Sequence, residues 1–208
     1  MQTQPGEADA PEELLPPYPG LDLSRVLLVR TAPDAAAALA ALMAADAVGF
    51  DTESKPTFVK GEKSTGPHLV QLATDTHAYL FQYGAGAGAD APFVGVIKAV
   101  LESPLVLKAG FGLADDIKRL KVKFGIEMAN VVDLANVLRE RGQRNPVGAR
   151  TAVARYFGQA LKKSKKITTT NWAVPRLSEQ QILYAADDAH VALRIYRHWH
   201  ALRTAPLV

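Results

Sequence analysis

Asp51 and Glu53 stand two residues apart at the end of an apolar stretch, Ala47-Val-Gly-Phe50. In a strand, side chains alternate, so these two project to one side and Thr52 turns away. Neighbouring carboxylates repel, and the pair is costly unless a cation lies between them. The apolar lead-in marks the strand as central, which sharpens that cost. Taken alone, such a triplet is also what a solvated strand end looks like. Farther along, Tyr184 and Asp188 are spaced i and i+4, one turn apart on one helix face. Ile182, Ala185, Ala189 and Leu193 supply that helix's packing side, and small alanines at 185 and 186 permit close approach to a sheet. An ordinary amphipathic helix explains Asp187 and Arg194 well, and an exposed Tyr-Asp pair less well. Asp115 and Asp116 follow a glycine-rich turn, Ala109-Gly-Phe-Gly112. Acids in a first helical turn are favoured by the macrodipole, which accounts for Asp115. Asp116 shares its helix surface with Leu120 and can face the sheet edge.

These side chains need a frame. Arg25–Arg30 reads as a short apolar strand, and Thr31-Ala-Pro-Asp34 opens an alanine-rich helix to about Ala45. Strands follow at Ala47–Glu53, His68–Ala73 and Ala78–Gln82, and their short connections suggest an antiparallel meander. A helix at Phe93–Leu101, a buried strand at Leu105–Ala109, a helix at Gly112–Phe124 and a short strand at Val131-Val132 come next. Helices are expected at Leu134–Arg141, at Ala149–Phe157 and from Ser178 to about Leu202, the last opened by a capping box at Ser178 and Gln181. This order predicts an α/β domain with a mixed central sheet, part antiparallel meander and part parallel, flanked by helices.

The chain has 208 residues, 48% hydrophobic and 22% charged, which excludes disorder over most of its length. Residues 1–22 read as an acidic, proline-rich arm and 23–208 as one domain. There is no cysteine, so thiol nucleophiles and thiolate metal sites are excluded, and a cytoplasmic location is expected. No apolar run reaches the ~18 residues of a membrane helix.

Three blocks together resemble the DEDD superfamily of 3′–5′ exonucleases, in the tyrosine-bearing branch that includes RNase D and the Werner-type exonuclease domain. The first is Val48-Gly-Phe-Asp-Thr-Glu53 with Leu69-Val-Gln-Leu72. The second is Lys108-Ala-Gly-Phe-Gly-Leu-Ala-Asp-Asp116, running on to Leu120 and Val132-Asp-Leu134. The third is Asn171-Trp172, Leu177-Ser-Glu-Gln180 and Tyr184-Ala-Ala-Asp-Asp188. The resemblance spans residues 24–200 and implies an RNase H-like fold. Asp51, Glu53, Asp116 and Asp188 match the family's metal ligands, and Tyr184 its catalytic tyrosine. The histidine branch would place His at position 183, which is Leu183. His190 is then expected on the surface. The implied reaction is hydrolysis at a 3′ end, releasing nucleoside 5′-monophosphates with two divalent cations. All-oxygen ligands suit Mg²⁺ or Mn²⁺. Asp51 would bridge both ions, Glu53 and Asp188 would hold the water-activating ion, and Asp116 would support the other. The alternative is a catalytically weak or inactive nucleic-acid-binding module on the same fold.

The net charge of +3 hides its distribution. Arg139–Arg176 holds ten basic residues and one acid, a net +9, leaving −6 elsewhere. Phosphate-holding bases beside a cation-holding site suit a nuclease acting on DNA or RNA 3′ ends. Strand contacts are expected from Lys162, Lys163, Lys165, Lys166 and Arg176, with Trp172 as a base-stacking candidate whose plainer role is packing. After the first motif, Lys55 and Phe58 are further candidates. Ser54 and Lys55 replace the aromatic residue that often follows this motif in Werner-type domains. RNase D proteins carry additional C-terminal helical domains, so a chain ending at Val208 is expected to be a stand-alone catalytic domain, with no obligate protein partner implied.

Overall fold

The computed structural model describes residues 14–57, 61–84, 86–162 and 165–205, the side chain of Lys165 aside. Its elements are β1 (Val26–Leu28), α1 (Ala32–Met43), β2 (Ala47–Glu53), β3 (Leu69–Ala73), β4 (Ala78–Gln82), α2 (Val94–Glu102) and β5 (Leu107–Gly110). They continue with α3 (Ala114–Phe124), β6 (Val131–Asp133), α4 (Leu134–Val137), α5 (Ala149–Phe157), α6 (Lys165–Thr168) and α7 (Glu179–Thr204). The strands form one six-stranded sheet in the order β1-β4-β3-β2-β5-β6. β2, β3 and β4 make the expected antiparallel meander. β1 pairs parallel to β4, β5 to β2 and β6 to β5, so the sheet is mixed.

Alternation along β2 divides the core. Val48 and Phe50 pack with Ala38 and Leu42 of α1, Ile97 and Leu101 of α2 and Leu120 of α3. Ala47, on the other face, packs with Val153 of α5 and Leu193 of α7. The same alternation places Asp51 and Glu53 on the α7 face and Thr52 on the α3 face. Helix α7 packs across β1 to β5, and its point of closest approach to β2 is Gly49. A Cβ there would lie 1.8 Å from the Ala189 carbonyl oxygen. The glycine, more than Ala185 or Ala186, lets the helix sit this low. Ser178 caps α7 in a capping box with Gln181, as the sequence predicts, and Thr31 caps α1 with Asp34.

Some local expectations are corrected. The helix expected to reach Arg141 stops at Val137. Leu138 is its last buried apolar side chain, and the Arg139-Glu-Arg-Gly142 stretch beyond offers no face to bury and turns at Gly142, φ 89°. The fifth strand starts at Leu107, since Leu105 is 82% exposed. His190 is buried instead of on the surface. Its Nε2 lies 3.2 Å from the Asp75 carbonyl oxygen, and burial holds its pKa below the ordinary histidine range. Asp187 is also drawn in, accepting from the Leu21 amide at 2.7 Å. Residues 16–21 lie along the molecule: Tyr18 donates its amide to the Ala160 carbonyl and Ala160 donates to that of Pro16, at 2.9 and 2.8 Å. Among the described residues, no helix is long and apolar enough to cross a membrane.

Candidate active site

Asp51 and Glu53 leave the C-terminal end of β2 toward α7, and Asp188, 7% exposed, meets them from that helix. One oxygen from each of the three carboxylates lies within 4.8 Å of the others. Such convergence is repulsive in the absence of a cation. An oxygen-only donor set of three carboxylates fits a hard divalent ion such as Mg²⁺ or Mn²⁺. Gln71 stands directly across from Asp51 in the β2–β3 register and is fully buried. Neither amide atom of Gln71 has a hydrogen-bond partner within the protein, so this face keeps polar capacity in reserve beside the carboxylates.

Asp116 stands apart from this trio. It lies in the first turn of α3, on the opposite sheet face, where its carboxylate accepts a short hydrogen bond from the Thr52 hydroxyl. Burial pushes its pKa up, while the Thr52 bond and the Arg119 guanidinium pull it down. The turn before α3 is pinned by Asp133, which accepts from the Gly112 amide at 2.8 Å and caps α4 through the Ala135 amide at 3.0 Å. Lys108, from the same sequence block, is buried away from the site. Its ammonium donates to the carbonyls of Ser103 and Val106, both at 2.7 Å, and desolvation lowers its pKa to about 8.

Tyr184 is half-buried one turn before Asp188, with its hydroxyl 3.1 Å from Thr168 Oγ1 of α6. Thr168 and Thr52 were not legible as site partners, because short hydroxyl side chains beside motifs carry no spacing signal. Helix α6 itself falls at the end of the charge run, where no helix is expected from the sequence. Trp172 takes the plainer of its two expected roles, packing, and base stacking is set aside: it is fully buried against Leu69, Leu80, Leu177 and Ala185, its ring centre 6.2 Å from that of Tyr184. No ring face is left for a base, and its role is to seat the segment between α6 and α7. Lys55, Lys162, Lys166 and Arg176 are exposed. Phe58 and Lys163 lie outside the described residues, as does the side chain of Lys165.

The loop leaving Glu53 is anchored at both ends. His68, fully buried, accepts the Lys55 amide on Nδ1 at 3.0 Å, and its Nε2 lies 3.1 Å from Thr65 Oγ1. Lys123 of α3 donates to the carbonyls of Thr65 and Pro67, both at 2.8 Å. Burial, helped by Lys123 and Lys55, lowers the His68 pKa to about 4. The folded state therefore resists a proton that unfolded histidine takes up near pH ~6.5. Stability from this group is fully present above about pH 6.5 and fades as pH falls toward 4, by up to about 3 kcal/mol. Urea unfolding between pH 7 and 4 should show this slope in the wild type and a flatter one in His68→Gln. Parallel slopes would mean that the ring is already charged in the fold.

An α/β domain whose central strand ends in a carboxylate cluster that suits divalent cations has the equipment of a phosphodiester hydrolase. The chain belongs to the 3′-5′ exonuclease family, whose description matches residues 27–201. It is 30% identical over 153 residues to the mouse bifunctional 3′-5′ exonuclease/ATP-dependent helicase WRN, an alignment covering 73% of this chain and 11% of that protein. It is 26% identical over 155 residues to an Arabidopsis thaliana 3′-5′ exonuclease, covering 72% of this chain and 51% of that one. Among solved structures, the Aedes aegypti Nibbler EXO domain superposes with TM-score 0.70 at 26% identity, covering 86% of this chain and 88% of that one. The Trypanosoma brucei RNase D complex with RNA U12 superposes with TM-score 0.74 at 20% identity, covering 88% and 64%, and shares the fold. The sheet and its helices are thus the RNase H-like fold of these exonuclease domains. The chain spans between about a tenth and about half of the length of these two curated relatives.

Proposed function

We propose that this domain hydrolyses DNA or RNA from the 3′ end and releases nucleoside 5′-monophosphates, as a tyrosine-branch member of its family. The observation that carries this reading is the convergence of Asp51, Glu53 and Asp188 within 4.8 Å, in a chain of the 3′-5′ exonuclease family. Divalent cations, when bound, would lower the pKa of an attacking water and neutralise charge on the leaving oxygen. Asp51, Glu53 and Asp188 would hold two such ions, Mg²⁺ or Mn²⁺, with Asp116 supporting the second from the α3 side. The Tyr184 hydroxyl orients the attacking water, and Thr168 holds that hydroxyl in place. The α7 backbone fixes Tyr184 and Asp188 in one register. Lys55, Lys162, Lys163, Lys165, Lys166 and Arg176 bind backbone phosphates, and Phe58 wedges against the terminal base. The chain acts in the cytoplasm, and no obligate protein partner is inferred for this reaction.

Tyr184→Phe is expected to slow single-turnover hydrolysis about 100-fold, since a positioned proton-handling group contributes on that scale. A wild-type rate would remove the tyrosine from the mechanism. The test of the whole reading uses 3′-labelled and 5′-labelled single-stranded and recessed DNA and RNA, with Mg²⁺ and Mn²⁺. Mononucleotides should appear first from the 3′ label, and a chelator should stop the reaction. Release from the 5′ end, metal-independent cleavage or strand binding without hydrolysis would each overturn it.

A further inference from the structure

We propose that a basic cavity at the far end of α7 is a second ligand site, built to take a phosphate group carried on a hydroxyl-bearing sugar. It is separate from the carboxylate cluster. Arg197 forms a fork on Asp46, just before β2, and reaches Asp75 in the β3–β4 turn, so the cavity lies toward the end of the sheet opposite Glu53. With a rise of about 1.5 Å per residue, Arg194 lies roughly 9 Å along α7 from Asp188.

The cavity is about 540 Å³ and is lined by Gly20 and Leu21 of the N-terminal segment, Arg25, Asp75, Phe157 and four residues of α7. That volume admits a nucleoside monophosphate. Its charges are unevenly committed. The Asp75 carboxylate is taken by Arg197 at 3.0 Å, and Asp46 holds Arg197 from its other side. Arg25 and Arg194 have no carboxylate partner among the described residues. Arg194 is held in place without being neutralised: its guanidinium lies 5.2 Å from the Phe157 ring centre and 5.6 Å from that of Tyr18. Those rings stack on each other at 6.3 Å. One Arg194 N–H donates to the Tyr18 hydroxyl at 3.4 Å; a guanidinium positioned on aromatic faces keeps its other N–H groups for a planar or tetrahedral oxyanion and loses little freedom on binding one. Two such cations match a phosphate dianion.

His190 supplies the second half of the recognition. It lines the same cavity and is 5% exposed, and its Nδ1 is buried with no hydrogen-bond partner in the protein. With Nε2 donating to the Asp75 carbonyl, Nδ1 is an acceptor awaiting a donor. An orphaned buried acceptor is costly, and a small shift of the His190 ring toward the cavity it lines would let a ligand hydroxyl satisfy it. Inorganic phosphate alone cannot use both halves, whereas a nucleoside monophosphate can.

The test is calorimetric titration of the full chain in EDTA, with inorganic phosphate, adenosine 5′-monophosphate and a short single-stranded oligonucleotide as probes. Saturable binding is expected, tighter for the monophosphate than for phosphate. It should weaken at least tenfold in Arg25→Gln and in Arg194→Gln, the loss of one charge-assisted contact, and stay unchanged in Asp51→Asn. Among the described residues Arg25 makes no cation–ring contact with Tyr18 or Phe157, so its variant keeps the test valid if Arg194→Gln loosens the N-terminal segment. If only the oligonucleotide responds to the two arginine variants, the phosphate belongs to the backbone of the bound strand. Absence of saturable binding, or equal affinity in wild type and both arginine variants, would overturn the assignment.

Discussion

Asp51→Ala should abolish removal of 3′-terminal nucleotides, by a factor of at least about 10³, while the metal-free protein melts no lower than wild type. The rate expectation rests on what the carboxylate must do. It is one of three that converge within 4.8 Å, and loss of an interaction of several kcal/mol at the reacting centre costs about a decade of rate per 1.4 kcal/mol. The stability expectation has the opposite sign because the trio repels itself when no cation is present, so deleting one member relieves strain. The two halves separate a site residue from a structural one. Manganese should raise the melting temperature of the wild type, through preferential binding to the folded state, and do so much less in the variant. Retained hydrolysis in Asp51→Ala would sink the site assignment. A collapse of melting temperature without metal would mean that the carboxylate serves the fold.

Gly49→Ala is the second large effect, and it acts through backbone. The new methyl would lie 1.8 Å from the Ala189 carbonyl oxygen and 2.7 Å from its carbon, so no rotamer change can make room. Helix α7 must lift from the sheet. Overpacking of a well-filled core costs roughly 1–3 kcal/mol, and a clash against a rigid helix belongs at or above the upper end. Because Tyr184 and Asp188 ride on the same helix, hydrolysis should fall together with stability. Denaturant midpoints and single-turnover rates measured on one preparation check both. A variant as stable and as active as wild type would mean that α7 does not sit at this depth.

Much of the frame was legible because its signals are local. β2 and β4 fall on short apolar runs, α5 where helical spacing predicts it, and α7 where helical spacing and a capping box agree. The carboxylate trio was legible from two separated motifs, neither decisive alone. What escaped depends on contacts between distant segments. His190 looks like a surface residue until the β3–β4 turn brings the Asp75 carbonyl to it. Trp172 carries two readings in the sequence, packing and base stacking, and Leu69 and Leu80 of the sheet, which enclose it, decide for packing. Thr52 was read only as the residue pointing away from Asp51 and Glu53. Its partner, Asp116, comes from a helix sixty-four positions later on the other sheet face. The Arg139-Glu-Arg-Gly142 stretch misled because charged residues favour a helix locally, while the chain there has nothing apolar to bury.

Helix α7 has one more consequence, for biosynthesis. It follows every strand in chain order, yet it covers one face of β1 to β5. As the polypeptide leaves the ribosome, most of that sheet face waits for α7, with α4 and α5 packed only beside β2, β5 and β6 before it, and the long-range closure is slow relative to local helix formation. Asp188 and Tyr184 arrive only with that closure. A nascent or partly unfolded chain therefore carries half of the carboxylate cluster, and the event that completes the fold also completes the candidate site.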